Sequence, residues 1–266
     1  MVDLRGGQLI DVWDDAALAG RRPILIAHRG GAISPVSPEC SSAAIRLAAE
    51  RGFDMVELDV RRSRDGIAVV FHDRVLSPAI EAGEGSVADH DWSRLKALRY
   101  RGTEERILAF DQACALCAQN GLGVMIDLKE AGDDDSFVAQ IGASIGRHGL
   151  SRATITFTGS ELAKRSWDGV LFSLSGAERK KVEQGEWGAD APRRFWFGLP
   201  RDLSDSEARR FIAAGVLTVP AINTFRYESE THWMEASQDM ARLRALGVTG
   251  FQMDSIYLDT LRRLSE

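Results

Sequence analysis

The stretch GFDMVELDV, residues 52–60, reads as a strand whose two faces differ in kind. Side chains alternate across a strand, so Val56, Leu58 and Val60 share one face while Glu57 and Asp59 share the other. Two carboxylates on one face of an otherwise apolar strand belong near its C-terminal end in a (β/α)8 barrel, where that fold gathers its polar side chains. The same alternation recurs in LGVMIDLKE, residues 122–130: Val124, Ile126 and Leu128 face one way, and Met125, Asp127 and Lys129 the other.

Outward from these two segments, short β-rich apolar runs alternate with longer amphipathic stretches from residue 24 to the end, as parallel βαβ units require. Strands are predicted at 24–27, 55–60, 67–71, 123–128, 153–157, 170–174, 195–199, 216–221 and 250–253, one more than a closed barrel needs. The segment 195–199 follows the Gly- and Pro-containing GEWGADAPRR and reads as loop or as an extra strand. Helices are predicted at 41–51, 109–119, 134–148, 204–214 and 235–246, with Gly52, Gly149, Gly215 and Gly247 as their C-terminal caps. Residues 74–108 break the rhythm with Gly83, Gly85 and a short helical pattern at 92–98, and read as a small insertion after the third predicted strand. The run 133–135 reads as an acidic helix start. The expected architecture is α/β, one TIM barrel occupying residues 1–266.

The 266 residues carry 33 Lys+Arg against 39 Asp+Glu, a net charge of −6, and 44% are apolar. A TIM barrel takes about 250 residues. The acidic balance offers no cationic footprint for a polyanion, which excludes nucleic acid and anionic membrane surfaces from the expected partners. No apolar run approaches the roughly 18 residues of a membrane span, and the start, MVDLRGGQLIDVWDD, lacks a basic region followed by an apolar one; a cytoplasmic location is the expectation. Cys114 and Cys117 form a C-x-x-C pair, but they lie in a helical pattern without a second Cys/His pair at zinc spacing, so they read as buried thiols.

Glu57 and Asp59 admit two readings. A bound divalent ion offsets two desolvated like charges, or Arg61, Arg62 or Arg64 of the next turn pairs with them. Asp127 supplies a third oxygen ligand in the first reading, which suits a hard cation, Mg2+ or Ca2+; alternatively it pairs with Lys129. His28 in ILIAHRGG and His72 in VVFHD each close an apolar strand and each has a polar neighbour, Arg29 or Asp73. Two imidazoles can divide general base and general acid duties around one centre. Arg29, followed by Gly30 and Gly31, offers a guanidinium and open backbone to a phosphate-like anion. His90, His148 and His232 read as ordinary core or surface residues. An acid, a base, a hard cation and two cationic side chains favour chemistry at a phosphodiester.

In order and spacing, AHRGG (27–31), SPEC (37–40), GFDMVELDVRRSRDG (52–66), VVFHD (69–73) and VMIDLK (124–129) resemble the glycerophosphodiester phosphodiesterases, with a weaker echo in GVTGFQMD (247–254). The resemblance implies a (β/α)8 barrel with a small insertion after the second histidine. It also implies that Glu57, Asp59 and Asp127 hold the metal, that His28 and His72 act as base and acid, and that Arg29 and Lys129 bind phosphate with Glu39 beside the site. In the family's reaction a glycerol hydroxyl attacks phosphorus to give a cyclic intermediate that water opens. Three positions depart from the family pattern: Asp127 stands where Glu is usual, Cys40 where Asn is usual, and TVPAIN (218–223) where a strand commonly reads Trp-Thr-Val-Asn. Phe195, Trp196 or Phe197 would supply the lost aromatic wall, unless they pack in the core.

The function expected is therefore metal-dependent cleavage of a small-molecule glycerophosphodiester to an alcohol and glycerol phosphate, a step in lipid metabolism. The alternatives are a lysophospholipid or sugar phosphodiester yielding a cyclic phosphate, and a non-catalytic phosphodiester-binding barrel. Oligomeric state is not legible in the sequence.

Overall fold

A computed structural model describes residues 9–19, 21–129, 134–188 and 190–264. Its strands are β1 (Ile24–Ala27), β2 (Met55–Arg62), β3 (Ala68–Val70), β4 (Leu108–Ala109), β5 (Gly123–Leu128), β6 (Thr154–Thr156), β7 (Leu171–Phe172), β8 (Phe195–Gly198), β9 (Leu217–Ile222) and β10 (Gly250–Met253). Its α-helices are α1 (Asp15–Leu18), α2 (Ser42–Glu50), α3 (Trp92–Leu95), α4 (Phe110–Gln119), α5 (Asp135–Arg147), α6 (Glu161–Ser166), α7 (Gly176–Glu183), α8 (Asp205–Ala213), α9 (His232–Ala245) and α10 (Leu258–Arg263).

Eight strands run parallel in the order β7-β6-β5-β2-β1-β10-β9-β8. The ring closes through a parallel bridge between Ser173 and Phe195, where the Leu174 N–H donates to the Phe195 carbonyl at 2.8 Å. Each barrel strand leads to a helix on the outer face, and this is the expected (β/α)8 barrel. The segment 195–199, which sequence left between loop and strand, supplies the eighth barrel strand. The surplus lies at 67–71. That segment forms β3, which folds back antiparallel on β2 with Val60 opposite Val70, because five residues are far too few for a parallel crossover.

Alternation sorts the side chains. Ile26, Met55, Met125, Ile155, Leu171, Phe195 and Val219 fill the barrel interior, while Val56, Leu58, Val124, Ile126 and Trp196 face the helices. Trp196 packs against Phe211 of α8 with ring centroids 6.2 Å apart. The expected cap glycines, Gly52, Gly149, Gly215 and Gly247, all take positive φ. Helix α5 is capped by Asp134, whose side chain accepts from the Ser136 and Phe137 N–H groups; Asp133 of the predicted acidic start lies outside the described residues. Between β3 and β4 the insertion packs its own apolar cluster around Leu76, Ile80, Leu95 and Tyr100. Cys114 and Cys117 are free, buried thiols on α4, as their helical setting predicted.

Candidate active site

The interior side chains change character toward the C-terminal end of the strands. On β2 the inward sequence runs Met55, Glu57, Asp59, and on β5 Met125 and Asp127, followed just past the strand by Lys129, so an apolar plug below becomes a charged layer above. Register places Asp59 directly beside Asp127. Glu57 and Asp59 are buried, and carboxylate oxygens of Glu57, Asp59 and Asp127 all lie within 4.8 Å of one another. Lys129 sits between two of them, its Nζ 2.8 Å from Asp59 Oδ1 and also bonded to Asp127. The two readings of Asp127 therefore coexist: it belongs to the carboxylate cluster and it pairs with Lys129. Arg62 and Arg64 pair with Asp134 and Asp91 instead, and Arg61 donates to the His72 carbonyl.

Burial, followed by repulsion from Asp59, pushes the Glu57 carboxyl well above the ordinary carboxylate range. Burial raises Asp127 as well, against the pull of Lys129. A compact group of three desolvated carboxylates has more negative charge than one ammonium balances. Oxygens around a hard cation stand about 2.0–2.6 Å from it, so ligand atoms within 4.8 Å of one another fit such an ion.

Each predicted histidine has its own carboxylate. His28 follows β1, and its Nδ1 donates to Asp254 Oδ1 at 2.6 Å; a carboxylate only accepts, which fixes the direction. The other oxygen, Asp254 Oδ2, accepts from the Thr224 N–H (2.7 Å) and hydroxyl (2.8 Å). Although burial works against its charge, the bonds to His28 and Thr224 hold Asp254 below its usual pKa. His72 Nδ1 lies 2.8 Å from Asp73 Oδ1. In both residues Nε2 remains for a proton in transit. Asp254 was missed as a site residue, although GVTGFQMD ends on it. The signal was available in the closure of the barrel: β1 pairs with β10 at Ala27 and Met253, so the next residues, His28 and Asp254, emerge side by side.

Arg29 and Glu39 join these elements. The Arg29 N–H donates to Glu57 Oε2 (2.8 Å), its guanidinium donates to Glu39 Oε2 (3.0 Å), and its buried Nε has no partner among the described residues. Glu39, His72 and Asp73 also bring potential ligand atoms within 4.8 Å of one another. Cys40, at the usual Asn position, is a buried thiol whose pKa burial pushes up, and its Sγ–H donates to Asp59 Oδ2 at 3.8 Å. The aromatic ring beside the histidine is not from 195–197: Phe195 is in the barrel plug, and Phe197 stacks on Phe157. It is Phe225, 5.9 Å from the His28 ring and 5.9 Å from the Arg29 guanidinium carbon. His90, His148 and His232 bond elsewhere, to the Glu84 carbonyl, Asp111 and the Tyr257 hydroxyl.

The turn holding His28 and Arg29 is backbone packed on backbone. Gly30 has φ +77°, and a Cβ there would stand 2.5 Å from Cys40 Cα. Gly30→Ala is expected to lower unfolding stability by about 1–3 kcal/mol beyond Gly102→Ala, which has the same handedness and open space around it. Urea midpoints of the two variants measure the difference.

The family model of the glycerophosphoryl diester phosphodiesterase family matches residues 28–194. A probable glycerophosphodiester phosphodiesterase 1 from Mycobacterium tuberculosis is 43% identical over 88 residues, 33% of this chain and 31% of that protein; the match thus spans about a third of the relative. Among solved structures, a glycerophosphodiester phosphodiesterase from Agrobacterium tumefaciens superposes with a TM-score of 0.70 at 20% identity, over 92% of this chain and 99% of that one. An Oleispira antarctica phosphodiesterase, solved in complex with its product sn-glycerol-3-phosphate, gives 0.64 at 22% identity over 91% and 96%. With more than half of its length matched by the family model, and with the same barrel in both structures, this chain belongs to the glycerophosphoryl diester phosphodiesterase family.

Proposed function

We propose that this chain hydrolyses a glycerophosphodiester to an alcohol and glycerol phosphate, with a divalent cation held by Glu57, Asp59 and Asp127. One observation carries the reading: two histidines, each oriented by its own aspartate, stand at the barrel mouth that also holds a three-carboxylate cluster, two of its members buried and Asp127 partly so. The activity named for the curated relatives and the glycerol phosphate bound by the Oleispira enzyme support the same chemistry.

His28 is the base. Its Nδ1–H is committed to Asp254, so Nε2 accepts the proton of the attacking glycerol hydroxyl as the new O–P bond forms. His72 is the acid: its Nε2–H passes to the leaving alcohol oxygen as the old P–O bond breaks. Water then opens the cyclic phosphate with the two roles exchanged. Arg29, whose Nε has no acceptor among the described residues, and Lys129 bind the nonbridging oxygens, and Glu39 holds the Arg29 fork in place. When bound, the cation supplies Lewis-acid stabilisation of charge on the phosphoryl group and lowers the pKa of the attacking hydroxyl. Mg2+ and Ca2+ both suit the all-oxygen donor set.

Two intact Asp–His pairs count against a barrel that binds without turnover, because binding a phosphodiester requires neither. Alcohol release from glycerophosphocholine, glycerophosphoethanolamine and glycerophosphoinositol, assayed with Mg2+, Ca2+ or Mn2+, tests the reading. Turnover of at least one diester that needs the cation is expected. Tight binding across the panel without turnover would overturn it.

A further inference from the structure

Within the insertion, Tyr100 buries a polar atom that the insertion itself does not use. The residue is 1% exposed, and its hydroxyl has no hydrogen-bond partner among the described residues. A buried O–H left unpaired is costly, and a Phe ring would fill the same space beside Leu76, Ile80 and Leu95 without that cost. The hydroxyl points to a use outside the insertion.

Contacts on two sides fix where Tyr100 sits. Its N–H donates to the Glu105 carbonyl (2.9 Å), and the Glu105 carboxylate accepts from the Ser42 hydroxyl (2.8 Å) and the Ala43 N–H (3.1 Å), just past Cys40. On the other side the Tyr100 ring meets Phe71 at 6.0 Å, and the Phe71 N–H donates to the Asp59 carbonyl (3.0 Å). Tyr100 therefore stands between the segment that follows Cys40 and the β2–β3 hairpin that carries Asp59. Burial, followed by the charges of Cys40, Glu39, Asp59 and Glu105 in that order, pushes its phenol well up, which keeps it a donor.

Cys40 and Asp59 show the complementary need. Asp59 is 1% exposed; its Oδ1 accepts from Lys129 at 2.8 Å, whereas the donor to its Oδ2 is the Cys40 thiol, at 3.8 Å. A thiol is a weak donor, and its sulfur is also an acceptor. A buried acceptor with a weak donor and a buried donor with no acceptor flank one sulfur.

We propose that Tyr100 is a positioning residue for the cation site: its hydroxyl and the Cys40 thiol form one donor chain onto Asp59 Oδ2, which holds this carboxylate in place for the ion. The bond from the hydroxyl to the Cys40 sulfur closes on cation binding, and this couples the insertion to the barrel mouth. The proposal rests on the reading that Glu57, Asp59 and Asp127 bind the ion.

Calorimetric titration of Mg2+ and Ca2+ into the full chain tests it, with thermal melts of the same proteins in the absence of cation. Tyr100→Phe removes no hydrogen bond within the protein, so its cation-free Tm is expected to equal or exceed that of the parent. Its cation Kd is expected to rise about tenfold, the lower end of the range for residues that orient metal ligands. At saturating cation its kcat should match the parent's, since Tyr100 touches neither substrate nor ion. Cys40→Ala is expected to weaken binding to a similar extent, and adding Tyr100→Phe to it should change Kd by less than about twofold, because the two residues act in one chain. An unchanged Kd in Tyr100→Phe overturns the proposal, and so does a loss of the same size in the Cys40→Ala background. A higher Kd accompanied by a cation-free Tm well below the parent's marks a packing defect and overturns it too. If the parent takes up no cation, or if Glu57→Gln binds it as tightly as the parent, the assigned cation site fails and the role of Tyr100 falls with it.

Discussion

His28→Ala is expected to lower kcat on a glycerophosphodiester by roughly two to four orders of magnitude, the usual worth of a positioned general base. KM should change little, because the phosphate contacts proposed above are those of Arg29, Lys129 and the cation rather than the imidazole. The partner across the barrel separates positioning from packing. In Asp254→Asn the side-chain amide keeps the shape, but its NH2 can face His28 and favour the wrong tautomer. A fall of roughly 10–100-fold in kcat is expected there, the range seen when a partner that orients a functional histidine is removed. Thr224→Val should cost less, since the Thr224 N–H still holds Asp254 Oδ2 at 2.7 Å. Steady-state kinetics of the three variants check the order. An Asp254→Asn protein with normal kcat would remove Asp254 from the account.

Glu57→Gln is expected to separate folding from cation binding. Buried and facing Asp59, the Glu57 carboxyl is an unfavourable charge in the cation-free protein, and Gln keeps an oxygen for the Arg29 N–H. Cation-free thermal stability should therefore be equal or higher in the variant. At cation concentrations about 100 times the Kd, the parent gains about 2.7 kcal/mol, which for a chain of this size is a Tm rise of about 5–10 °C. The variant should lose most of that rise at the same concentration and lose activity by two or more orders of magnitude. Thermal melts with and without Mg2+ or Ca2+ measure both effects. An undiminished cation-dependent rise in Glu57→Gln would place the ion elsewhere.

The legible parts of this molecule were those that local alternation determines. Period-two patterning in 52–60 and 122–130 was enough to put Glu57, Asp59, Asp127 and Lys129 on the inner face, because strand side chains have only two directions. Segment 67–71 has equally good strand composition, and periodicity alone did not separate a hairpin arm from a barrel strand; the short link after Arg62 distinguishes them, but doubt had fallen on 195–199 instead. Asp254 and Phe225 were less visible because their meaning depends on closure. They lie about 200 residues from His28 in sequence and meet it only because the first and last barrel strands are neighbours. The Trp-Thr positions of the family strand, here Pro220 and Ala221, similarly drew attention to 195–197, whereas the ring beside the histidine follows that same strand.

Phosphorus-31 NMR of one glycerophosphodiester sample tests the central claim most directly, with the protein first given a divalent cation, then chelator, then excess cation again. The account predicts a growing glycerol phosphate resonance that stops on chelation and resumes on restoration, and no such resonance above background with His28→Ala on the same timescale. Hydrolysis unaffected by both chelation and His28→Ala would contradict it.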